Sequence, residues 1–255
     1  KEPNGQPFIK VGKGNVWLEK IIVENPGKNG WLFEMSRKSN ILINDAQIKG
    51  FETVVCCNSS DSFQITESEV EAENFVVGDS VKNMKITCSA IRAKNGISLN
   101  NVQNLFLSET ILECGESLMT TSGLSNIKIE NSTLLSSRNG IQAQKLTVIE
   151  LFDSSISASN TALAINGASS LNIRKSKISD SEVGVSAMQS SYVSISESVI
   201  SGCDRGVQVV NSDLSINDST FEQNATAVAL QGRNAFEQKK VVFTGNDLDI
   251  SRDEP

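Results

Sequence analysis

Nine times the chain sets an apolar residue, a spacer and a second apolar residue. The second members fall at Ile43, Ile65, Ile86, Leu107, Ile129, Leu151, Ile173, Ile195 and Ile216, always 21 or 22 residues apart. Three positions on stand Ala46, Ser68, Ser89, Thr110, Ser132, Ser154, Ser176, Ser198 and Ser219, and two further on comes another apolar residue, from Ile48 to Phe221. A second apolar pair opens at Val54, Phe75, Ile97, Leu118, Ile141, Leu163, Val185, Val207 and Val228. A weaker apolar position recurs at Val81, Val102, Leu124, Leu146 and Ala168. A fixed period of this length decides architecture before any local propensity does.

Alternation with a period of two means strand, because successive side chains point to opposite faces. Three short strands per repeat, with no helix-length segment between them, exclude βαβ units. They fit an all-β fold, a single-stranded parallel β-helix in which each strand pairs with its copy one coil away and the apolar columns stack into one interior. About ten coils of 21–22 residues would make a rod roughly 50 Å long at the strand spacing. Residues 1–255 read as one domain: an irregular first coil over 1–37, regular coils over 38–230, and a C-terminal insertion and cap over 231–255, where LQGRNAFEQKK breaks the pattern and Phe243 with Leu248 suggests a later coil after it. A hydroxyl at each corner can bond its stacked neighbour or the turn backbone. Asn83, Asn104 and Asn126 occupy one column, as an amide ladder would.

With coil length, stacked columns and the Asn run in hand, residues 15–250 resemble the right-handed parallel β-helix superfamily, the pectate-lyase-like fold of polysaccharide lyases and hydrolases, tailspikes and adhesins. Right-handedness comes with that resemblance and with the usual sense of parallel crossovers. Members that act on sugars use residues that can be sought here. Polygalacturonases pair an Asp cluster with a Gly-His-Gly segment and mannuronan epimerases also use His, whereas this chain has no His. Pectate lyases set calcium-binding carboxylates beside an Arg; Asp180, Glu182, Asp204 and Arg205 sit in adjacent coils but without a family motif around them.

A net charge of −7 argues against nonspecific nucleic-acid binding, which needs basic patches to displace counterions. No apolar run approaches the ~20 residues of a membrane span. The chain reads as a segment of something longer, so adjacent domains of the same protein are expected partners. Five Cys form no disulfide framework and carry no metal-ligand spacing; no cofactor is expected. Cys56 reads as inward, Cys88 as a corner, and Cys114 and Cys203 as polar-gap residues too far apart to bridge.

Function then falls to the outward ladders. One runs Gln64, Lys85, Phe106, Lys128, Glu150, Asn172; the next runs Thr66, Thr87, Ser108, Glu130, Phe152, Arg174. Phe106 and Phe152 stand two coils apart, about 10 Å by strand spacing, among the charges of Lys128, Glu130 and Arg174. That arrangement suits a glycan. It equally suits ordinary ladder pairing with Lys stems lying on the rings. Glu130 and Glu150, on diagonal positions of adjacent coils, are the pair a glycosidase would use. Against catalysis stands the coil length itself, which leaves no room for long loops to wall a cleft. The second pair's outward column, Val76, Ser98, Met119, Gln142, Ala164, Ser186, Gln208 and Ala229, reads as a small neutral face suited to a protein partner. The expectation is a noncatalytic module presenting a flat ladder to a glycan or protein; the alternative is a polysaccharide lyase or glycoside hydrolase.

Overall fold

A computed structural model describes residues 7–27, 29–189 and 191–253; the two ends of the expected domain, 1–6 and 254–255, lie outside the described residues. Every strand pairing is parallel and joins one coil to the next, as with Ile129↔Leu151 and Leu151↔Ile173. Each complete coil has three faces. In one, Ser125–Glu130 forms the first face, Thr133–Ser136 the second and Asn139–Gln144 the third. On the first face the registers link Leu18, Ile43, Ile65, Ile86, Leu107, Ile129, Leu151, Ile173, Ile195, Ile216 and Gln238, eleven rungs in all. The apolar columns run down the inside as one continuous core.

The corner between first and second faces explains the hydroxyl column. Eleven residues there, from Lys20 (φ 53°) through Asn131 (φ 47°) to Lys240 (φ 51°), adopt the left-handed conformation, and none is Gly. For an L-residue that conformation costs about 1 kcal/mol. At eight of the eleven a Ser or Thr follows, and Ser132 shows how it secures the corner. Ser132 Oγ donates to the Glu130 carbonyl at 2.7 Å, bridging Asn131, and accepts the Thr110 N–H of the preceding rung at 3.2 Å. The same relay continues as Ser132 N–H to Ser154 Oγ, Ser154 N–H to Ser176 Oγ and Ser176 N–H to Ser198 Oγ. Asn104 Nδ2 donates to Asn83 Oδ1 at 3.0 Å on the neighbouring corner.

Four expectations require correction. On the third face the ladder runs Val55, Val76, Ile97, Met119, Ile141. Val76 and Met119 are therefore core residues, and the outward positions are Val77 and Thr120. The strand enters this face through a bend that turns two successive side chains inward, so Val54, Phe75 and Leu118 are buried beside them. A strict two-residue alternation cannot place such a doublet. By the same shift Cys57 is inside and Cys56 is half-buried outside, while Cys114 and Cys203 are buried rather than in polar gaps.

The weak apolar column also divides. Val81 and Val102 are buried, but Leu124 and Leu146 are 67% and 55% exposed. From that point a second hydroxyl column replaces it inside: Ser125 accepts the Val102 N–H, Ser169 that of Thr147, and Ser212 that of Ser191. Finally, residues 236–253 are not an insertion. Phe236–Lys239, Val242–Thr244 and Leu248–Asp253 continue the three faces in register with the rung before. The polar letters EQK disguise that rung, which its register with Leu214–Asn217 reveals.

Candidate functional site

The outward ladders of the first face stack as the spacing predicts. Phe106, Lys128 and Glu150 share one column, and Glu130, Phe152 and Arg174 the next. Six residues from four successive rungs therefore form one patch. Phe106 and Phe152 are half-buried, not free-standing. Lys128 Nζ lies 5.9 Å from the Phe106 ring centroid, and Phe152 carries two cations, Arg174 at 5.9 Å and Lys175 at 5.8 Å. Long basic side chains lay their methylene stems on the rings and hold their charged ends at the surface.

Lys128 stands between the two carboxylates. It forms an ion pair with Glu130 at 2.6 Å and lies in register with Glu150 one rung away. Its pKa is raised, first by the hydrogen bond to Glu130, then by that carboxylate's charge and, more weakly, by Glu150. Arg174 turns instead toward the next rung, pairing with Glu197 at 3.1 Å, and Lys175 reaches the same carboxylate at 3.9 Å. Lys175 and Glu197 escaped the sequence reading. Their signal was present: they occupy the left-handed corner column, one residue before each hydroxyl.

That corner is concave. Asn131, Thr133, Asp153, Lys175, Lys177 and Glu197 line a shallow, open groove of about 580 Å³, joined to Phe152 through Lys175. Nearer the N-terminus the same corner forms a groove of about 540 Å³ lined by Asp45, Glu67, Glu69, Cys88 and Glu109. There Cys88 Sγ lies 3.6 Å from Glu109 Oε2. Loss of hydration raises that thiol's pKa, and the Glu109 and Glu67 carboxylates raise it further. Asp180, Glu182, Asp204 and Arg205 lie on the corner between second and third faces, where Arg205 pairs with Glu182 at 3.6 Å. Among the described residues no group of three or more His, Cys, Asp or Glu converges as metal ligands would, and no helix is long and apolar enough to cross a membrane.

Two solved structures share this architecture. The A-module of mannuronan C-5 epimerase AlgE4 from Azotobacter vinelandii aligns with a TM-score of 0.56 at 12% identity, covering 95% of this chain and 90% of that one. The AlgE6 A-module from the same organism aligns with a TM-score of 0.52 at 13% identity, covering 96% and 88%. At such identity the likeness is one of fold. No curated protein sequence matches the chain significantly. The family model described as the right handed beta helix region matches residues 117–251. That stretch is more than half of the chain, so the chain belongs to the right-handed β-helix family.

Proposed function

We propose that this β-helix is a noncatalytic binding module that holds a glycan along its first face, on the patch formed by Phe106, Lys128, Glu130, Phe152 and Arg174 and in the adjoining corner groove. One observation carries the reading: Phe152 anchors two cations, Arg174 and Lys175, at the lip of a groove lined by amide, hydroxyl and charged groups. Cations fixed on an aromatic ring lose less side-chain entropy on binding than free ones. The groove's Asn, Thr, Asp, Lys and Glu groups offer both donors and acceptors to sugar hydroxyls. Two structural neighbours are modules of enzymes named for a polysaccharide substrate, and this supports a carbohydrate ligand.

The alternative is a lyase or hydrolase using Glu130 and Glu150. Lys128 compensates both carboxylates, a role that salt-bridge ladders on exposed strands have without any catalysis. A single experiment separates the readings. On an array of neutral and anionic oligosaccharides the chain should bind without shortening them. Glu130→Gln should retain binding and Phe152→Ala should lose it. Cleavage abolished by Glu130→Gln would establish the enzyme instead, and binding unaffected by Phe152→Ala would leave the third face and a protein partner.

A further inference from the structure

Charge is spread unevenly over the three faces. The first face carries Lys85, Lys128, Glu130, Glu150 and Arg174 on its outward ladders. On the third face the central outward column runs from Ser98 to Ala229, over seven rungs, without one charged residue. The outward column before it, from Asn95 to Thr226, holds Arg205 alone, and the one after it is uncharged from Gln144 to Gln231. Charged residues make up 21% of the chain, so this bareness belongs to the face and not to the composition. Loss of charge is what separates the centre of a protein interface from ordinary surface. At a strand spacing of about 4.8 Å and a rise of about 3.3 Å per residue, seven rungs of six residues cover roughly 30 by 20 Å. Two such surfaces laid together remove roughly 1,200 Å² from water, the size at which specific complexes begin.

The order of residues makes the face complementary to itself. A two-fold axis lying along Thr161–Asn166, in the plane of the face, sets each rung above that strand on the matching rung below it, column on column. Ala164 then meets its own copy, Gln142 meets Ser186, Thr120 meets Gln208 and Ser98 meets Ala229. Ser186 is recessed, at 8% exposure, and so leaves room for the longer Gln142. Along one edge of the face the charges follow the same symmetry. Arg138 pairs with Glu116 at 3.0 Å on one side of Asn160, and Arg205 pairs with Glu182 at 3.6 Å on the other. About the axis, Arg138 of one copy meets Glu182 of the other, and the rung of Glu116 meets the rung of Asp204 and Arg205. A two-fold parallel to the rod would instead set each rung on itself with its columns reversed, pressing Arg205 against Val210. Burying a charge on an apolar side chain is costly, so the antiparallel arrangement is selected.

We infer that the chain forms an antiparallel dimer through its third face, with the axis along Thr161–Asn166. Such an interface is isologous and closes at two copies. It leaves the first face of both copies open.

Sedimentation velocity should report a dimer. Ala164→Arg sets two cations on the axis and should give a monomer with unchanged circular dichroism, since that side chain faces outward. Asn172→Arg, on the first face, should leave the dimer intact. Arg138→Glu and Glu182→Arg should each raise the dimer dissociation constant about tenfold, because like charges then meet twice across the axis. Mixed in equal amounts, the two variants should recover the wild-type constant, since both pairs across the heterodimer are again opposite in sign. A wild-type chain that stays monomeric at its highest soluble concentration overturns the inference. So does a dimer indifferent to Ala164→Arg or lost in Asn172→Arg, or a mixture of the two charge variants that associates no more tightly than either alone.

Discussion

The N-terminal and C-terminal halves of the rod build the same coil by different means. In the first, strands run unbroken around corners, as in Ser39–Cys57, Glu69–Thr87 and Ala90–Ser108, each 19 residues long. The core there is filled by Phe33, Phe51, Phe63 and Phe75 and by the thiols of Cys57 and Cys114. In the second, strands shorten to 3–6 residues, Phe221 is the only fully buried Phe, and a second hydroxyl column joins the first. Aromatic volume and hydroxyl relays are thus alternative ways to fix a corner. One depends on packing density and the other on satisfying buried N–H groups. The grooves differ likewise, acidic in the first half and mixed with Lys175 and Lys177 in the second, on a shared backbone.

The largest test of this contrast is alkaline unfolding. Burial pushes the Cys57 and Cys114 thiol pKa values up to about 12 in the folded chain from their ordinary value of 9.0. A raised folded pKa adds stability that is fully present below the unfolded value and is lost as pH rises toward the folded one. Between pH 8 and pH 10 the two thiols together should cost about 3 kcal/mol. Hydrogen exchange should show the N-terminal half opening first, and Cys57→Ala with Cys114→Ala should flatten the dependence. A uniform loss across both halves would break the comparison.

Removing a relay hydroxyl comes next. Ser154→Ala leaves the Ser132 N–H buried without its acceptor and should destabilise the fold by about 2 kcal/mol in urea titration. Ser68→Ala should cost a similar amount in the first half, since Ala46 N–H loses its acceptor there. Unequal costs would mean that the aromatic half relies less on the relay.

Smaller again is the contrast between grooves. Arg174→Ala with Lys175→Ala should weaken oligosaccharide binding about tenfold, equivalent to about 1.4 kcal/mol, while Glu67→Ala in the acidic groove should leave it unchanged. Isothermal titration would read both. Least of all, Lys128→Ala should leave the midpoint of urea unfolding nearly unchanged, because exposed ion pairs contribute little.

How much of this was legible in the sequence follows from what each pattern encodes. The nine-fold column from Ile43 to Ile216 marks positions that face one another in every coil, so the first face and its ladders were readable residue by residue. The third face was misread at Cys56, Val76 and Met119 because a bend buries two neighbours, and alternation cannot register a bend. The last rung was legible at Phe243 and Leu248, but its start read as an insertion because the polar Gln238 stands in the core column of Ile216. In the patch, column membership put Phe106, Lys128, Glu130, Phe152 and Arg174 together. It did not show that Arg174 and Lys175 share Glu197, nor that the basic stems cover the rings, since rotamers are chosen by packing and not by register.

By itself, then, the sequence determined that the chain is a single stacked coil with a hydroxyl corner, because a 21–22-residue period forces equivalent residues into contact wherever the coil is drawn. Tertiary structure alone decided where the third face turns two neighbours inward and which cations gather on Phe152. Those features depend on backbone bends and on rotamers chosen by packing, and a repeat records neither.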